Sequence, residues 1–448
     1  MKAKYIVLVI ALASVFSACN RDEKNLFDDQ AAVRAQKALD NAFDILTAPA
    51  NGWEMLYFPN TYSAGYSVIV KFNTNGKVLA ATRNPQTTKG VYKTDDNSTW
   101  KVISDYGPIL TFDTYNNVIH AWADPQSDGD GYLGDYEFLI LHADANYVKL
   151  KGKKHSAYCI LYPLPAGKDW IEYFNEVYQY RDLIVTKNDG TKFNFVSPGH
   201  NQLMTYESGL MNVDNTLDTY YPFVVRNNCI TFHGDGIPAQ GGNAMNFKVN
   251  SSMTALDCTD NGITAQFTPA LSIPEVLNAK LDHHIEWTFD KKDMGSTTAQ
   301  AYNEITNALS GSGGSLRSIR MQRIERIDST IDADGKKYSV DRINIEFKGS
   351  DGVEQAFFIM DFSLVGTSLV YSYNGIDPDE DKNPMYASEF LQRAGGGAGK
   401  ESIGEQRLKN LLTGSFNVTS ASGSTLNVQQ LYLTGTDDSN KRLKIAAK

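Results

Sequence analysis

The sequence predicts a β-rich α+β protein with antiparallel, meander-like or sandwich-like sheets and a few helices, arranged in two domains. Short apolar runs of strand length recur along most of the chain, and clusters of Asn, Asp, Gly and Pro separate them. Helical periodicity is confined to a few segments. The 448 residues exceed one ordinary domain, and a hydrophobic content of 42% is enough for well-formed cores.

The first residues have the pattern of a secretory signal. Lys2 and Lys4 precede an apolar run over residues 5–15, and the small residues before Cys19 suit a cleavage site. The run is too short to cross roughly 30 Å of hydrocarbon as a permanent helix. Because the segment resembles a bacterial lipoprotein box, we expect residues 1–18 to be removed and Cys19 to carry a lipid. The alternative is an ordinary signal peptide with an incidental cysteine.

Residues 19–29 form a polar segment that we interpret as a tether. Asp22 and Glu23 resemble the acidic surface-export signal of lipoproteins in the Bacteroidota, although a solvated linker has the same composition. We therefore expect a lipid anchor in the outer membrane, on the cell surface rather than on the periplasmic side.

Residues 30–190 are predicted to form an N-terminal β-rich domain. A helix is expected over residues 28–47, where apolar side chains recur at helical spacing. Asn75-Gly76 lies between two apolar runs and predicts a hairpin, because this pair accepts the backbone of a tight turn. A second helix is predicted from Trp170 to Ile184. Further strands are expected at 53–58, 90–93, 99–104, 109–115, 118–122, 136–142, 147–151 and 158–161.

Residues 191–448 are predicted to be a C-terminal β-rich α+β region, and its pattern leaves open whether it is one domain or two. A helix is expected from Ser296 to Leu309, followed by a Gly/Ser linker at 310–315 and a flexible glycine-rich loop at 395–399. The strands are predicted at 192–196, 223–232, 255–268, 284–289, 316–329, 337–347, 354–359 and 368–373, with a terminal hairpin within 413–433.

Charge and motifs argue against several functions. A net charge of −10 disfavours nucleic acid as a partner. The sequence contains no HExxH or GxSxG motif, no P-loop and no dinucleotide-binding fingerprint. Only His283 and His284 are adjacent histidines, and neighbours on a strand would point to opposite faces, so they are not expected to bind one metal.

The most ligand-like loop is acidic. If Asp124 is taken as the first position of a calcium loop, Asp128, Asp130 and Asp135 fall at positions five, seven and twelve. The twelfth ligand would be Asp rather than Glu, and strands rather than helices flank the loop. Calcium is therefore an alternative to an ordinary acidic surface turn, and we expect no other cofactor.

Aromatic residues make up 11% of the chain. Exposed rings on β-sheets often stack on sugars, while nearby amides and carboxylates bind the hydroxyls. Trp53, Trp100 and Trp122 are the candidates for such a site. The alternative is that these rings are core residues, because aromatic side chains are common inside sheets.

Three cysteines remain besides Cys19. Cys159 lies in an apolar run and is expected to be a small buried residue. Cys229 and Cys258 either form one disulfide in an oxidising compartment or are both free, since sequence does not give their separation.

Several runs resemble a family of uncharacterised Bacteroidota lipoproteins known only as a domain of unknown function. They are Leu46 to Pro59 (LTAPANGWEMLYFP), Ser104 to Asn116 (SDYGPILTFDTYN) and Gly134 to Phe138 (GDYEF). The resemblance implies an accessory role beside SusC/SusD-like uptake pairs and other surface lipoproteins, because members are encoded near them. It implies no catalytic residues.

Three function classes follow. The leading hypothesis is a non-catalytic binding or scaffold lipoprotein of a nutrient-uptake system, with a glycan, a peptide or another protein as its ligand. The second is a surface hydrolase for glycans or peptides, because many glycosidases need only two carboxylates, whose spacing a sequence does not reveal. The third is a structural or adhesion role, which a large exposed apolar patch would favour.

Overall fold

The computed structural model describes residues 30–125, 129, 131–184, 191–214, 216, 218–328, 336–379 and 382–448. The signal segment, Cys19 and the tether lie outside this range, so the lipoprotein prediction stays a prediction. In the described residues, no helix combines the length and apolar character needed to cross a membrane.

The first unit is a closed antiparallel barrel of eight strands preceded by helix α1 (Ala31–Thr47). Each strand pairs with the next one along the chain, and β8 pairs with β1 to close the sheet. The strands are β1 (Trp53–Tyr57), β2 (Tyr66–Phe72), β3 (Lys77–Thr82), β4 (Lys93–Ser104), β5 (Pro108–Phe112), β6 (Glu137–Ala143), β7 (Val148–Gly152) and β8 (Tyr158–Pro163).

Aromatic and aliphatic side chains fill the first barrel, and α1 contributes to this core. Ala42 and Leu46 are buried with the barrel residues, and Phe43 stacks on Trp100 at a centroid distance of 5.2 Å. The indole nitrogen of Trp53 donates a hydrogen bond of 2.8 Å to the Leu46 carbonyl oxygen. The last turn of α1 is therefore joined directly to the first strand.

Helix α2 (Trp170–Ile184) leads to a second closed barrel of eight strands. Five buried phenylalanine rings form the centre of its core: Phe193, Phe195, Phe232, Phe247 and Phe267. A separate two-stranded sheet, β14 (Ile237–Ala239) with β15 (Gly242–Ala244), branches from it. The barrel strands are β9 (Thr191–Val196), β10 (Gln202–Glu207), β11 (Leu210–Val213), β12 (Tyr220–Arg226), β13 (Cys229–Phe232), β16 (Asn246–Val249), β17 (Leu256–Cys258) and β18 (Gln266–Pro269).

The third unit is another closed meander of eight strands with four helices. Helix α3 begins with a capping box formed by Ser272 and Glu275. The helices are α3 (Ile273–Asp282), α4 (Ser296–Gly311), α5 (Asn383–Gly395) and α6 (Glu401–Leu412). The strands are β19 (Trp287–Asp290), β20 (Ser315–Asp328), β21 (Lys336–Gly349), β22 (Gly352–Val365), β23 (Ser368–Ile376), β24 (Gly414–Ser420), β25 (Gln430–Gly435) and β26 (Arg442–Ala447).

The predicted fold class, β-rich α+β with antiparallel sheets, is confirmed, and the meanders close into barrels. The helix from Trp170 to Ile184 is confirmed at both ends. The strand predicted over 118–122 is wrong, because its last three residues form a short 3-10 helix. Region 191–448 holds both the second and the third barrel.

Strand β1 is buried on both faces, and this is where the first two barrels meet. Its inward residues line the first barrel. On the outer face, Leu56 packs with Phe58 and Ala157 of the first unit and with Val224 of the second barrel. The same outer face carries Glu54, which is 5% exposed. A buried carboxylate needs a counter-charge, and the second barrel supplies it.

Arg226 of β12 is that counter-charge. Its Nε and Nη2 donate to the two carboxylate oxygens of Glu54 at 3.0 and 2.7 Å. Tyr173 of α2 donates its hydroxyl to the same carboxylate, and the Tyr162 ring lies 4.4 Å from the guanidinium carbon. Burial lowers the pKa of Arg226, but the Glu54 charge outweighs it and leaves the pKa raised. Strands β1, β8 and β12 and helix α2 thus meet at one ion pair.

We expect Glu54→Gln to lower the free energy of unfolding by about 3–5 kcal/mol, because it leaves a buried guanidinium without a counter-charge. Urea unfolding monitored by tryptophan fluorescence measures the loss. The matched control is Asp113→Asn, which breaks an ion pair with Lys101 whose side chains are 42% and 50% exposed. We expect that change to cost less than about 1 kcal/mol. Equal losses for the two variants would contradict the conclusion that breaking the buried pair costs more than breaking an exposed one.

His233 lies in the same contact between barrels. Its Nε2 accepts a hydrogen bond of 3.0 Å from the Tyr158 backbone N–H, and its ring packs on Phe58 at 4.7 Å. Burial lowers the pKa of His233 from 6.5 to about 4, despite the opposing charge of Asp235. The neutral imidazole is therefore the form that fits this contact.

The low pKa of His233 predicts a loss of stability in acid. Because the unfolded chain binds the proton first, the contribution of neutral His233 is complete above about pH 6.5 and is lost as the pH falls towards 4. Between pH 7 and 5 we expect the native protein to lose about 1–2 kcal/mol more unfolding free energy than His233→Gln. Urea unfolding of both proteins at the two pH values is the measurement, and parallel losses would rule out His233 as the source.

Candidate functional site

A cleft opens where the first barrel, α2 and the second barrel meet, and we call it the barrel cleft. Its volume is about 280 Å³. That is close to the lower limit of about 300 Å³ for small-molecule sites. The lining residues are Ala64, Gly65, Tyr66, Ser67, Arg83, Asn84, Pro85, Gln86, Val177, Tyr178, Arg181, Tyr206, Ser208, Gly209, Phe223 and Val225.

The floor of the cleft is formed by direct contact between β2 and β12. The Gly65 N–H donates to the Phe223 carbonyl at 3.0 Å, and the Ser67 hydroxyl donates to the Val225 carbonyl at 3.1 Å. A side chain at Gly65 would come within 2.5 Å of the Phe58 ring and 2.8 Å of Val224. Only glycine permits the two barrels to approach this closely.

One wall is the loop after β3, which its own side chains hold in place. Asn84 Oδ1 accepts from the Thr87 N–H at 2.7 Å, and the Thr88 hydroxyl donates to the Asn84 carbonyl at 2.8 Å. Arg83 donates from Nε to the Gly90 carbonyl and from Nη1 to Asn175 of α2, both at 2.7 Å. The loop is therefore fixed to the helix that forms the opposite wall.

The opposite wall is α2, which places Tyr178 and Arg181 one turn apart on the same face. The guanidinium carbons of Arg83 and Arg181 lie 4.1 and 5.9 Å from the centroid of the Tyr178 ring. A cation from the loop and a cation from the helix thus lie close to one aromatic ring.

Tyr66 connects the floor of the cleft to Arg181. Burial raises the pKa of the Tyr66 hydroxyl to about 12, while a hydrogen bond with Gln86 and the Arg181 charge act in the opposite direction. The hydroxyls of Tyr206 and Tyr132 add to the increase. Tyr66 is consequently protonated at neutral pH and can donate a hydrogen bond to a ligand.

The cleft carries positive charge in an acidic protein. Arg83 and Arg181 both line the cleft, and no Asp or Glu is among the described residues that line it. Neither arginine forms an ion pair with a carboxylate in the described part of the chain. An uncompensated pair of cations in a partly enclosed cleft favours an anionic ligand.

A smaller cavity of about 200 Å³ continues from the barrel cleft past Tyr66 and Gln86. Tyr62, Trp122 and Tyr132 line it together with Ser208. The Trp122 ring contacts Tyr66 at 4.6 Å and Tyr132 at 5.5 Å. The two cavities are therefore neighbours that share Ala64, Tyr66, Gln86 and Ser208 in their linings.

A family model described as Domain of unknown function (DUF4302) matches residues 23–256, slightly more than half of the chain. The chain belongs to the DUF4302 family. The matched region includes the first barrel, α2 and the second barrel through Leu256, so every residue that lines the barrel cleft lies in the DUF4302 match. The third barrel lies beyond it.

Among solved structures, the chain is similar to two bacterial DNA polymerase III beta subunits. The protein from Eubacterium rectale ATCC 33656 shares 8% identity over 92% of this chain and 97% of its own. The protein from Streptococcus pneumoniae TIGR4 shares 9% identity over 93% and 97%. Both TM-scores are 0.12, so neither likeness carries an argument about fold or function. No curated protein matches the chain.

The three tryptophans predicted to stack on sugars are core residues in the structure. Trp53 and Trp122 are 0% exposed and Trp100 is 3% exposed, so none of them presents a ring face to solvent. The physical reason is that all three point into or under the first barrel, where burial of a large ring is most favourable. Of the three, Trp122 borders the smaller cavity, covered by Tyr66 and Tyr132.

The predicted calcium ligands are only partly described. Asp128 and Asp130 lie outside the described residues. Asp135 is 5% exposed, and its two oxygens accept hydrogen bonds from the backbone N–H groups of Lys154 and His155 at 3.0 and 2.8 Å. Asp124 accepts a hydrogen bond from the Tyr115 hydroxyl. No cluster of three metal-ligating side chains occurs among the described residues.

Cys229 and Cys258 are both free thiols. They lie on β13 and β17, and β16 pairs with both strands and separates them. Cys159 is buried in the first barrel core, as the sequence predicts, and burial raises its pKa to about 12. His283 and His284 lie at the end of α3 rather than on a strand.

Sequence reasoning missed the residues of the barrel cleft. The one available signal is the spacing of Tyr178 and Arg181, which are three positions apart on a predicted helix and so share a face. Tyr66 and Arg83 lie on the paired strands β2 and β3 or just after them, and the docking of the second barrel adds Tyr206 to them.

The close approach of the β10–β11 turn to the cleft rim predicts a difference between two glycine substitutions. Gly209 and Gly199 have φ angles of +86° and +80°, but an alanine side chain at Gly209 would overlap Ala64 whereas at Gly199 it meets nothing within 4 Å. We expect Gly199→Ala to lower the free energy of unfolding by about 1–2 kcal/mol through backbone strain alone. Gly209→Ala should cost distinctly more in the same urea titration. Equal costs would show that the turn does not press on Ala64.

Proposed function

We propose that this protein is an outer-membrane-anchored lipoprotein that binds a glycan in the barrel cleft, as a non-catalytic accessory of a nutrient-uptake system. The observation that carries the proposal is the cleft itself, where tyrosine rings, amides and hydroxyls from two barrels surround one opening. Its size suits one or two sugar rings rather than a long chain segment.

The lining has the chemistry that sugars need. The rings of Tyr66 and Tyr178, which are only partly buried, offer apolar surface for the carbon face of a pyranose. Gln86 stands beside them with an amide group that can exchange hydrogen bonds with hydroxyls, whereas the buried Asn84 amide is already hydrogen-bonded within its own loop. Gln86 is exposed and can therefore reorient towards a ligand without breaking a core contact.

A peptide is the less suitable ligand. Extended peptides usually bind by adding a strand to an open sheet edge. The strands beside the cleft, β2, β10 and β12, each pair with a neighbour on both sides. They leave no edge for strand addition, so recognition has to come from side chains.

Binding is also favoured over hydrolysis at this cleft. Most glycosidases act through two carboxyl groups that flank the scissile bond. The described residues of the barrel cleft include none. The arrangement can hold and orient a sugar, but it offers no general acid and no nucleophile.

Location and partners enter the proposal from the sequence. Cys19 with the preceding signal supports a lipid anchor, and Asp22 with Glu23 supports export to the surface. The resemblance to Bacteroidota lipoproteins encoded near SusC/SusD-like pairs supports a place beside an uptake complex. Such a protein would hold a glycan close to the transporter that imports it.

The binding proposal predicts that cleft substitutions abolish glycan capture without unfolding the protein. We expect Tyr178→Ala to weaken binding on a glycan array by about tenfold or more, because it removes an aromatic ring of the cleft lining on which a sugar would stack. Tyr338→Ala is the control, since Tyr338 is an exposed tyrosine of the third barrel. If both variants retain the glycans bound by the native protein, the barrel cleft is not the site.

The proposed location beside an uptake complex predicts which proteins co-purify with this one. Native lipidated protein should co-purify with a SusC/SusD-like pair from intact outer membranes, whereas Cys19→Ala should not. Recovery of no partner, together with protection from external protease, would exclude the surface-accessory role. Self-association or host-surface attachment without glycan binding would instead indicate an adhesion protein.

A further inference from the structure

We infer that the sugar bound in the barrel cleft carries a carboxylate, as a hexuronic acid does, and that Arg83 and Arg181 bind that group. This inference rests on the proposed glycan-binding function and adds the chemical class of the ligand. It is drawn from the two arginines, which a site for neutral sugars does not require.

The first argument is the availability of hydrogen-bond donors. Arg83 uses Nε and Nη1 for Gly90 and Asn175 and leaves Nη2 without an acceptor among the described residues. Arg181 donates no hydrogen bond to any described residue. A guanidinium group presents its donors in a planar fork that matches a carboxylate, so these free donors fit the two oxygens of a uronate.

The second argument is the position of the charges. Both guanidinium groups lie near the Tyr178 ring, at 4.1 and 5.9 Å, and the Arg181 charge reaches the Tyr66 hydroxyl. A pyranose placed against these rings would have its carboxylate within reach of the cations and its ring hydroxyls near Gln86. Stacking and charge recognition thus meet within one cleft.

The third argument is the surrounding charge. The protein has 52 acidic and 42 basic residues, so an acidic polymer is repelled by most of its surface. Asp182 is exposed and adjacent to Arg181 in the chain, but it is not part of the cleft lining. The two arginines therefore give the cleft a local positive charge that attracts a carboxylate.

Isothermal titration of the full mature chain with digalacturonate and with its dimethyl ester tests the inference, because esterification removes the negative charges and adds only one methyl group to each carboxylate. We expect the acid to bind about tenfold or more tightly than the ester. Arg181→Gln should remove about that factor from the affinity for the acid and change the affinity for the ester by less than about threefold. Arg317→Gln is the control, since Arg317 is exposed on the third barrel. Added KCl should weaken binding of the acid and leave binding of the ester unchanged.

Each outcome has one meaning. Equal affinity for acid and ester would overturn the inference and leave the glycan-binding function standing. If neither sugar binds, or if only a peptide with a free C-terminal carboxylate binds, both the inference and the proposed function fail. If Arg181→Gln does not fold, the comparison of acid and ester affinities for the native protein still tests the inference.

Discussion

The buried ion pair between Glu54 and Arg226 is the contact on which the arrangement of the first two barrels depends. Two charges out of water are tolerated here because the pair is bidentate and Tyr173 donates to the same carboxylate. Such a pair contributes little net stability over an apolar contact of the same volume, but breaking it is costly, so it selects one docking geometry. The register of β2 against β12, and with it the floor of the barrel cleft, follows from that geometry.

Closure of the sheets explains why the site lies between barrels. A closed barrel has no unpaired edge strand, and the interiors here are filled with side chains. Binding surface can therefore form only at loops and at contacts between units. Helix α2 is central to this arrangement, since Tyr173 reaches β1, Tyr178 lines the cleft and the Asp182 carbonyl accepts from Asn427 of the third barrel.

The local sequence pattern predicts some parts of the fold but not others. The hairpin at Asn75-Gly76 and the helix from Trp170 to Ile184 depend on short-range backbone preferences, which residue order reveals directly. Barrel closure depends on pairing between β1 and β8, more than 100 residues apart, and periodicity carries no record of it. Trp53, Trp100 and Trp122 illustrate the limit for the site, because an aromatic residue on a strand has the same pattern whether it faces a sugar or a core. Whether such a ring can face a sugar depends on its burial, and its burial depends on how the barrel closes.

The charge of the cleft completes the argument for an acidic ligand. Exposed arginines on an acidic protein usually pair with a neighbouring carboxylate, as Arg442 does with Asp293. Arg83 and Arg181 do not, although Asp182 adjoins Arg181 in sequence. Each is held instead by a ring or an amide, contacts that fix the position of a guanidinium without neutralising it. The loop after β3 and α2 converge because α2 packs on Ile69 and Ala81 of the first barrel and accepts a hydrogen bond from Arg83 at Asn175, and this packing brings the two positive charges into one cleft.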